Sequence, residues 1–315
     1  MSVVIKVTSP SFSKNRILVD EISSKFPNVE FNHNGKKYSE QELIDYLKNA
    51  DGAVIGLESM TPAILSNLPN LKIISKYGVG LDGIDLDYCS DNNIKIGWTG
   101  GVNKRSAAEL ALCFMLGLSR NVFNTACKLK NDGIWDKNGG FQLTGKTVGI
   151  IGVGNVGKEL AKLLEPFHCK VLANDIVEQS QYYNEHGLEG ASKERIFSEA
   201  DVVTLHTPYT KHTGHIVNSE SLSKMKETAY LVNVARGELI DQQALKKALK
   251  SNSIAGAAID VYESEPPTDF ELLKMHNLFC TPHIGGNAEE AILSMGRSAI
   301  YHLNEFFQIN VEKEL

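Results

Sequence analysis

Cysteine is scarce and irregularly placed in this chain: five in 315 residues, at positions 89, 113, 127, 169 and 280. The odd count and the lack of any Cys-x-x-Cys pair exclude a disulfide framework and a zinc site of familiar spacing, so no metal is expected. Small buried thiols in a reducing compartment are the simplest reading. Basic residues are not in excess, with 32 Lys and Arg against 38 Asp and Glu, net charge −6. Nucleic acid is therefore a poor candidate partner, because phosphate binding relies on surplus Lys and Arg. Long apolar runs are missing too. The longest, Ala107–Leu118, contains Glu109 and is too short to span a bilayer. The opening "MSVVIKV" is interrupted by Lys6 and reads as a first strand rather than a signal peptide. No membrane contact is expected, and a cytoplasmic protein is. There is no low-complexity tract, no Pro/Gly/Ser-rich linker and no close internal repeat.

What is present is ordinary for a folded protein, with 42% hydrophobic and 22% charged residues. The length suits one large domain or two of usual size. Short β-branched runs alternate with amphipathic segments: "VVIKV", "AVIGL", "LKIIS", "TVGII", "DVVTL", "AYLVNV" and "IAGAAIDV" each precede or follow a helical pattern. Strands separated by helices, without hairpin signals, predict an α/β fold with parallel sheets covered on both faces. Asp241 is placed to cap a helix whose Leu245, Ala248 and Leu249 share one face. From about Asn103 to Lys130 the pattern predicts a helix longer than a crossover needs, able to pass from one domain to another. A second long helix is expected in "NAEEAILSMGRSAIYHLNEFF", returning the C-terminus to the N-terminal domain.

After "TVGII" comes "GVGNVG", residues 152–157, and then the helical "KELAKLL". In that context of strand, turn and helix, Gly152 permits a tight turn and Gly154 lets a pyrophosphate approach the backbone. Gly157 lets helix and strand pack closely. The amides of Asn155 and Val156 would face the phosphates from a helix N-terminus. A second strand, "KVLAND", ends at Asp175, 18 residues beyond Gly157. A carboxylate there accepts hydrogen bonds from both adenosine ribose hydroxyls and repels a 2′-phosphate, so NAD is favoured over NADP.

Three polar residues stand at the ends of later strands: Arg236 after "AYLVNVA", Glu265 after "AAIDVYES" and His283 after "LFCTP". Singly, each reads as a turn or loop residue. Together, beyond the carboxyl ends of strands in an open α/β sheet, they suit hydride transfer between nicotinamide and a 2-oxo acid. Arg236 would hold the substrate carboxylate in a bidentate fork. His283 would give a proton to the ketone oxygen as negative charge develops there. Glu265 would fix the imidazole and stabilise its cationic form.

The runs "TGKTVGIIGVGNVG", "HTPYTKHTGHIVN", "LVNVARGELID", "AAIDVYESEPP" and "CTPHIGG" resemble those of the D-isomer-specific 2-hydroxyacid dehydrogenases. "KYGVGLDGID" and "GVNKRSAAELAL" extend the resemblance over nearly the whole chain. It implies two Rossmann-like domains. An NAD domain, residues 101–284, is inserted into a discontinuous flavodoxin-like substrate domain, residues 1–100 and 285–315. It also implies that Arg236, Glu265 and His283 are the catalytic set. The loop "KYGVG" would then hold the substrate carboxylate on the amides of Val79 and Gly80. Asp260 and the carbonyl of Ala235 would meet the nicotinamide carboxamide, and His206, Thr207 and Pro208 would line the nicotinamide ribose. Residues 103–145, with the arm "NDGIWDKNGG", would form a homodimer interface in which Trp135 is either an anchor or a buried core residue.

Within the family the likeness runs towards short 3-phosphoglycerate dehydrogenases without a regulatory C-terminal domain, none being expected after Leu315, so 3-phosphoglycerate and 3-phosphohydroxypyruvate are the expected substrate pair, with Lys76 among the residues that would bind it. Two departures count against a phosphorylated substrate. Lys76 stands where an arginine is common, keeping the charge but losing the fork. "VIGLES" offers Gly56 and Glu58 where a second arginine is frequent. Glyoxylate, hydroxypyruvate or another small 2-oxo acid is the alternative, with phosphonate oxidation ranked below it. An NAD(H)-sensing, corepressor-like binding protein is the rival from another class. His212, His215 and His168 are read as structural or loop residues.

Overall fold

A computed structural model describes residues 3–313 as two compact units. One runs to Asn103 and resumes at Asn287; the other is Lys104–Gly286. The first unit contains five parallel strands, β1 (Val4–Val7), β2 (Asn28–Phe31), β3 (Gly52–Ile55), β4 (Ile73–Lys76) and β5 (Lys95–Gly97). Their order is β2-β1-β3-β4-β5, that of a flavodoxin-like sheet. Every residue of β3 and β4 is buried, as expected of strands covered on both faces. One covering layer carries Leu43, Leu47, Ile64 and Leu65. The other brings Leu18 and Ile22 together with Met295, Ala299 and Leu303 of the last helix.

That last helix, Glu289–Lys313, belongs to the first unit by specific contacts. Ser75 Oγ of β4 donates to the Ala299 carbonyl at 2.7 Å, and the Arg297 guanidinium meets the Glu21 carboxylate at 2.7 Å. Gly97 of β5 lies so close beneath the helix that a Cβ there would stand 2.5 Å from that of His302.

The second unit holds β6 (Thr147–Ile151), β7 (Lys170–Asn174), β8 (Glu189–Gly190) and β9 (Val202–Leu205). It continues with β10 (Tyr230–Asn233), β11 (Gly256–Ile259) and β12 (Leu278–Cys280). All pair in parallel in the order β12-β11-β10-β9-β6-β7-β8, the doubly wound arrangement of a dinucleotide-binding sheet. The order reverses between β6 and β9, which opens a crevice at their carboxyl ends. Asp241 caps the helix Gln242–Lys250 as the sequence suggests, its Oδ1 accepting from Gln243 N at 3.0 Å and Ala244 N at 2.9 Å.

The single helix anticipated from Asn103 to Lys130 is instead two, Lys104–Ser119 and Val122–Asp132, bent by 69°. Asn121 sits between them in the left-handed region, φ 52°, which asparagine tolerates better than most residues. Its side-chain amide donates to the Asn138 carbonyl at 2.9 Å, and Arg120 Nε to that of Gly139 at 3.0 Å. Gly117 leaves room for Phe123 to fold back, because a Cβ would stand 2.1 Å from that ring. Trp135, beyond the second helix, is 72% exposed and so is no core residue. The thiols also depart from expectation: Cys89 is buried, but Cys113 and Cys127 lie on exposed helix faces. Among the described residues no single helix is long and apolar enough to cross a membrane.

Candidate active site

The turn after β6 is built by steric exclusion. Gly152 has φ 98°, and a Cβ on it would come within 2.6 Å of the His206 backbone at the end of β9. Gly157 lies so close to the Gly152 carbonyl that a Cβ would be 2.1 Å away. Gly154 differs, with nothing within 4 Å of its missing Cβ. It is the N-cap of the helix Asn155–Leu164, and no side chain caps that end. The first amides, including those of Asn155 and Val156, are thus left for an anion from outside the helix.

Asp175 follows β7 directly. Its Oδ2 accepts from Val153 N at 2.6 Å and its Oδ1 from Val177 N at 2.9 Å, which locks the carboxylate beside the glycine turn. Each oxygen keeps acceptor capacity for a ribose hydroxyl. Across the crevice, His206 Nε2 pairs with Thr204 Oγ1 at 2.9 Å. Its Nδ1 and the Thr207 hydroxyl are buried without a partner, the condition of groups awaiting a ligand, and Pro208 is exposed next to them. Burial pushes the His206 imidazole down to about 3, so it is neutral at any physiological pH. Open space at Gly154, an uncapped helix end and two orphaned polar atoms fit a dinucleotide.

His283 follows β12 in the left-handed region, φ 55°, held there by its own amide, which donates to the Asp260 carbonyl at 2.8 Å. Its Nδ1 lies 2.7 Å from Glu265 Oε2, and both side chains are about one-third exposed (38% and 34%). Glu265 Oε1 accepts from Tyr262 N at 3.2 Å. Arg236 is on the neighbouring loop, after β10. The next residue, Gly237, packs so tightly on the Tyr262 backbone that a Cβ would sit 1.9 Å from its carbonyl carbon. A run of contacts therefore links the Arg236 loop to Tyr262, Tyr262 to Glu265, and Glu265 to His283. Arg236 Nη1 donates to the Ala235 carbonyl at 2.7 Å, and Asn233 Nδ2 to the Arg236 carbonyl at 2.8 Å, which shape that loop.

Asp260, at the end of β11, is fully buried. Its Oδ1 accepts from Ile284 N at 2.8 Å and Thr281 Oγ1 at 2.5 Å, and its Oδ2 from Gly285 N at 2.7 Å. Here its carboxylate organises the loop that carries His283, with one acceptor position left over for a carboxamide. Sequence spacing holds no sign of this clasp. Tyr262 adds to it, donating its hydroxyl to the Thr281 carbonyl at 2.9 Å; burial raises that phenol far above its ordinary range, so it stays a donor.

In the first unit, Lys76 at the end of β4 is 6% exposed and its ammonium donates to the Gly56 carbonyl. Glu58 folds back so that Oε2 accepts from Gly56 N at 2.8 Å. Gly78, Val79 and Gly80 form a half-buried loop beyond Lys76, with Gly78 at φ 144°. His212 and His215 occupy the loop after Pro208, and His168 ends a short 3-10 helix at φ 51°.

A doubly wound sheet with an open glycine turn and an imidazole–carboxylate pair at its carboxyl ends defines a dinucleotide-dependent oxidoreductase. Residues 112–285 match the family model described as D-isomer specific 2-hydroxyacid dehydrogenase, NAD binding domain. The hydroxypyruvate reductase of Thermotoga maritima is 38% identical over 261 residues, 81% of this chain and 84% of that one. The D-3-phosphoglycerate dehydrogenase of Methanocaldococcus jannaschii is 36% identical over 82% of this chain, which spans only 50% of that relative. The crystal structure of the D-lactate dehydrogenase of Aquifex aeolicus, complexed with NAD and lactic acid, superposes with TM-score 0.84 at 27% identity, covering 98% and 96% of the two chains. The chain belongs to the D-isomer-specific 2-hydroxyacid dehydrogenase family, and its cofactor is NAD.

Proposed function

We propose that this protein interconverts a small, unphosphorylated 2-oxo acid of the glyoxylate or hydroxypyruvate kind and its D-2-hydroxy acid. The observation that carries the chemistry is the 2.7 Å contact between His283 Nδ1 and Glu265 Oε2 at the sheet's carboxyl end. The cofactor, when bound, would supply the hydride as NADH in the reducing direction and accept it as NAD+ in the oxidising one. Arg236 clasps the substrate carboxylate; in the other unit the amides of Val79 and Gly80 are donors of the kind a carboxylate takes. Glu265 orients the ring through Nδ1, leaving Nε2 to deliver a proton to the oxygen on C2. In the reverse direction Nε2 takes that proton back. The uncapped turn at Gly152, Gly154 and Gly157 cradles the pyrophosphate, Asp175 holds the adenosine ribose, and His206, Thr207, Pro208, Ala235 and Asp260 meet the nicotinamide half.

The substrate class rests on Lys76 and Glu58. Lys76 gives one of its three N–H donors to the Gly56 carbonyl and Glu58 folds onto the Gly56 amide, so this strand end carries one ammonium and one acid where a phosphate would need several cations. The unphosphorylated acid is therefore favoured over 3-phosphohydroxypyruvate. NADH oxidation with hydroxypyruvate, glyoxylate, pyruvate and 3-phosphohydroxypyruvate tests the reading. Highest kcat/KM with one of the first two supports it, and highest kcat/KM with the phosphorylated acid overturns the substrate assignment. NADH binding without turnover of any acid would favour a sensor.

We also infer a homodimer through residues 103–145. The helix Val122–Asp132 buries none of its residues, and Val122, Leu129, Ile134 and Trp135 are 49%, 49%, 51% and 72% exposed. Such an apolar strip is costly to leave in water.

A further inference from the structure

Val79 lies between two glycines, Gly78 and Gly80, so the peptide plane joining Val79 to Gly80 has unusual freedom to turn. One side chain restrains it. Trp98, just beyond β5, donates its indole Nε1–H to the Val79 carbonyl at 2.9 Å. Because a trans peptide holds its C=O and N–H antiparallel, fixing the Val79 oxygen fixes the direction of the Gly80 amide hydrogen. We infer that Trp98 is a positioning residue for substrate binding: by clamping this peptide it aims the Gly80 N–H at the carboxylate of the 2-oxo acid. This rests on the function proposed above.

Trp98 is itself held in place. Gly97 precedes it under the last helix, and Thr99 Oγ1 follows it at 2.8 Å from His302 Nε2 on that helix. The indole, 39% exposed, is thus a donor on an anchored strand end, reaching across to a pliant loop. A carbonyl that accepts a hydrogen bond also leaves its peptide N–H a stronger donor, so the clamp both aims and strengthens the amide. In the bland alternative, the indole covers apolar surface and its N–H has a convenient acceptor. The two differ in what they do to substrate affinity.

Trp98→Phe keeps an aromatic ring and removes the N–H. We expect kcat/KM for the 2-oxo acid to fall about tenfold, carried mainly by KM, with the NADH dissociation constant unchanged within about twofold. A second measurement leaves Trp98 untouched. The chain has two tryptophans, so in Trp135→Phe the emission comes from Trp98 alone. Titration with oxamate, an unreactive mimic of a 2-oxo acid, should shift that emission with a midpoint equal to its inhibition constant. Wild-type turnover with unchanged KM in Trp98→Phe would overturn the inference alone, as would emission indifferent to oxamate at inhibitory concentrations. A wild-type protein that turns over no 2-oxo acid would remove the functional reading and this inference with it.

Discussion

His283 and Glu265, eighteen residues apart in the chain, meet through Nδ1 and Oε2 at 2.7 Å. The pair comes from the carboxyl ends of adjacent strands, β11 and β12, and is reinforced from below. Asp260 clasps the His283 loop by two amides and a hydroxyl, and Tyr262 binds both Glu265 and the Thr281 carbonyl. The carboxylate therefore has a fixed imidazole to act on, and its loss should be felt in turnover before substrate binding.

Glu265→Gln retains the shape of the side chain and removes the charge. We expect kcat to drop about a hundredfold with KM changed by less than about threefold, since the interaction serves proton transfer rather than binding. Steady-state kinetics with saturating NADH check this. A rise in KM at constant kcat would place Glu265 in substrate binding.

The glycine turn separates folding from binding. Gly157→Ala drives a Cβ to 2.1 Å from the Gly152 carbonyl and should cost about 1–3 kcal/mol, lowering Tm by several degrees. Gly154→Ala meets nothing within 4 Å, so Tm should hold while the NADH dissociation constant rises about tenfold or more. Thermal melts and fluorescence titration of NADH distinguish the two. Equal melting losses would contradict the assignment of the open side to the nucleotide.

These glycines were legible in the sequence because their roles are local: the spacing from 152 to 157 encodes its own steric demands. The alternation of strands and helices was legible for the same reason, as was the cap at Asp241. The break at Asn121 was not. It depends on Asn138 and Gly139 reaching back to the helix end, contacts 17 and 19 residues away in the chain. The Asp260 clasp and the Trp98 donor also form only once separate strands are side by side. Exposure is equally a property of the folded chain, so Trp135 and the thiols Cys113 and Cys127 could not be placed from their residue types.

His206 should leave a mark on acid stability. Burial lowers its pKa from 6.5 to about 3, so between those values the unfolded chain takes up a proton that the folded protein refuses. The stability is intact above pH 6.5 and is lost as pH falls through the window, by up to about 1.4 kcal/mol per pH unit. His206→Gln removes the titrating group. Denaturation midpoints measured between pH 7 and pH 4.5 should fall more steeply in wild type than in the variant. Parallel curves would mean that the ring gains its proton without opposing the fold.

The exposed arm should govern assembly. Sedimentation equilibrium is expected to show a dimer for the wild-type chain and a lighter species for Trp135→Asp, which puts a charge into the apolar strip of Val122, Leu129 and Ile134. A dimer of unaltered strength in the variant would place the interface elsewhere.

The most direct measurement is the single-turnover rate of 2-oxo acid reduction by His283→Gln with NADH already bound. With the imidazole as proton donor, the rate should fall roughly a thousandfold while NADH affinity stays within about twofold of wild type. A rate within tenfold of wild type would show that the proton comes from another group.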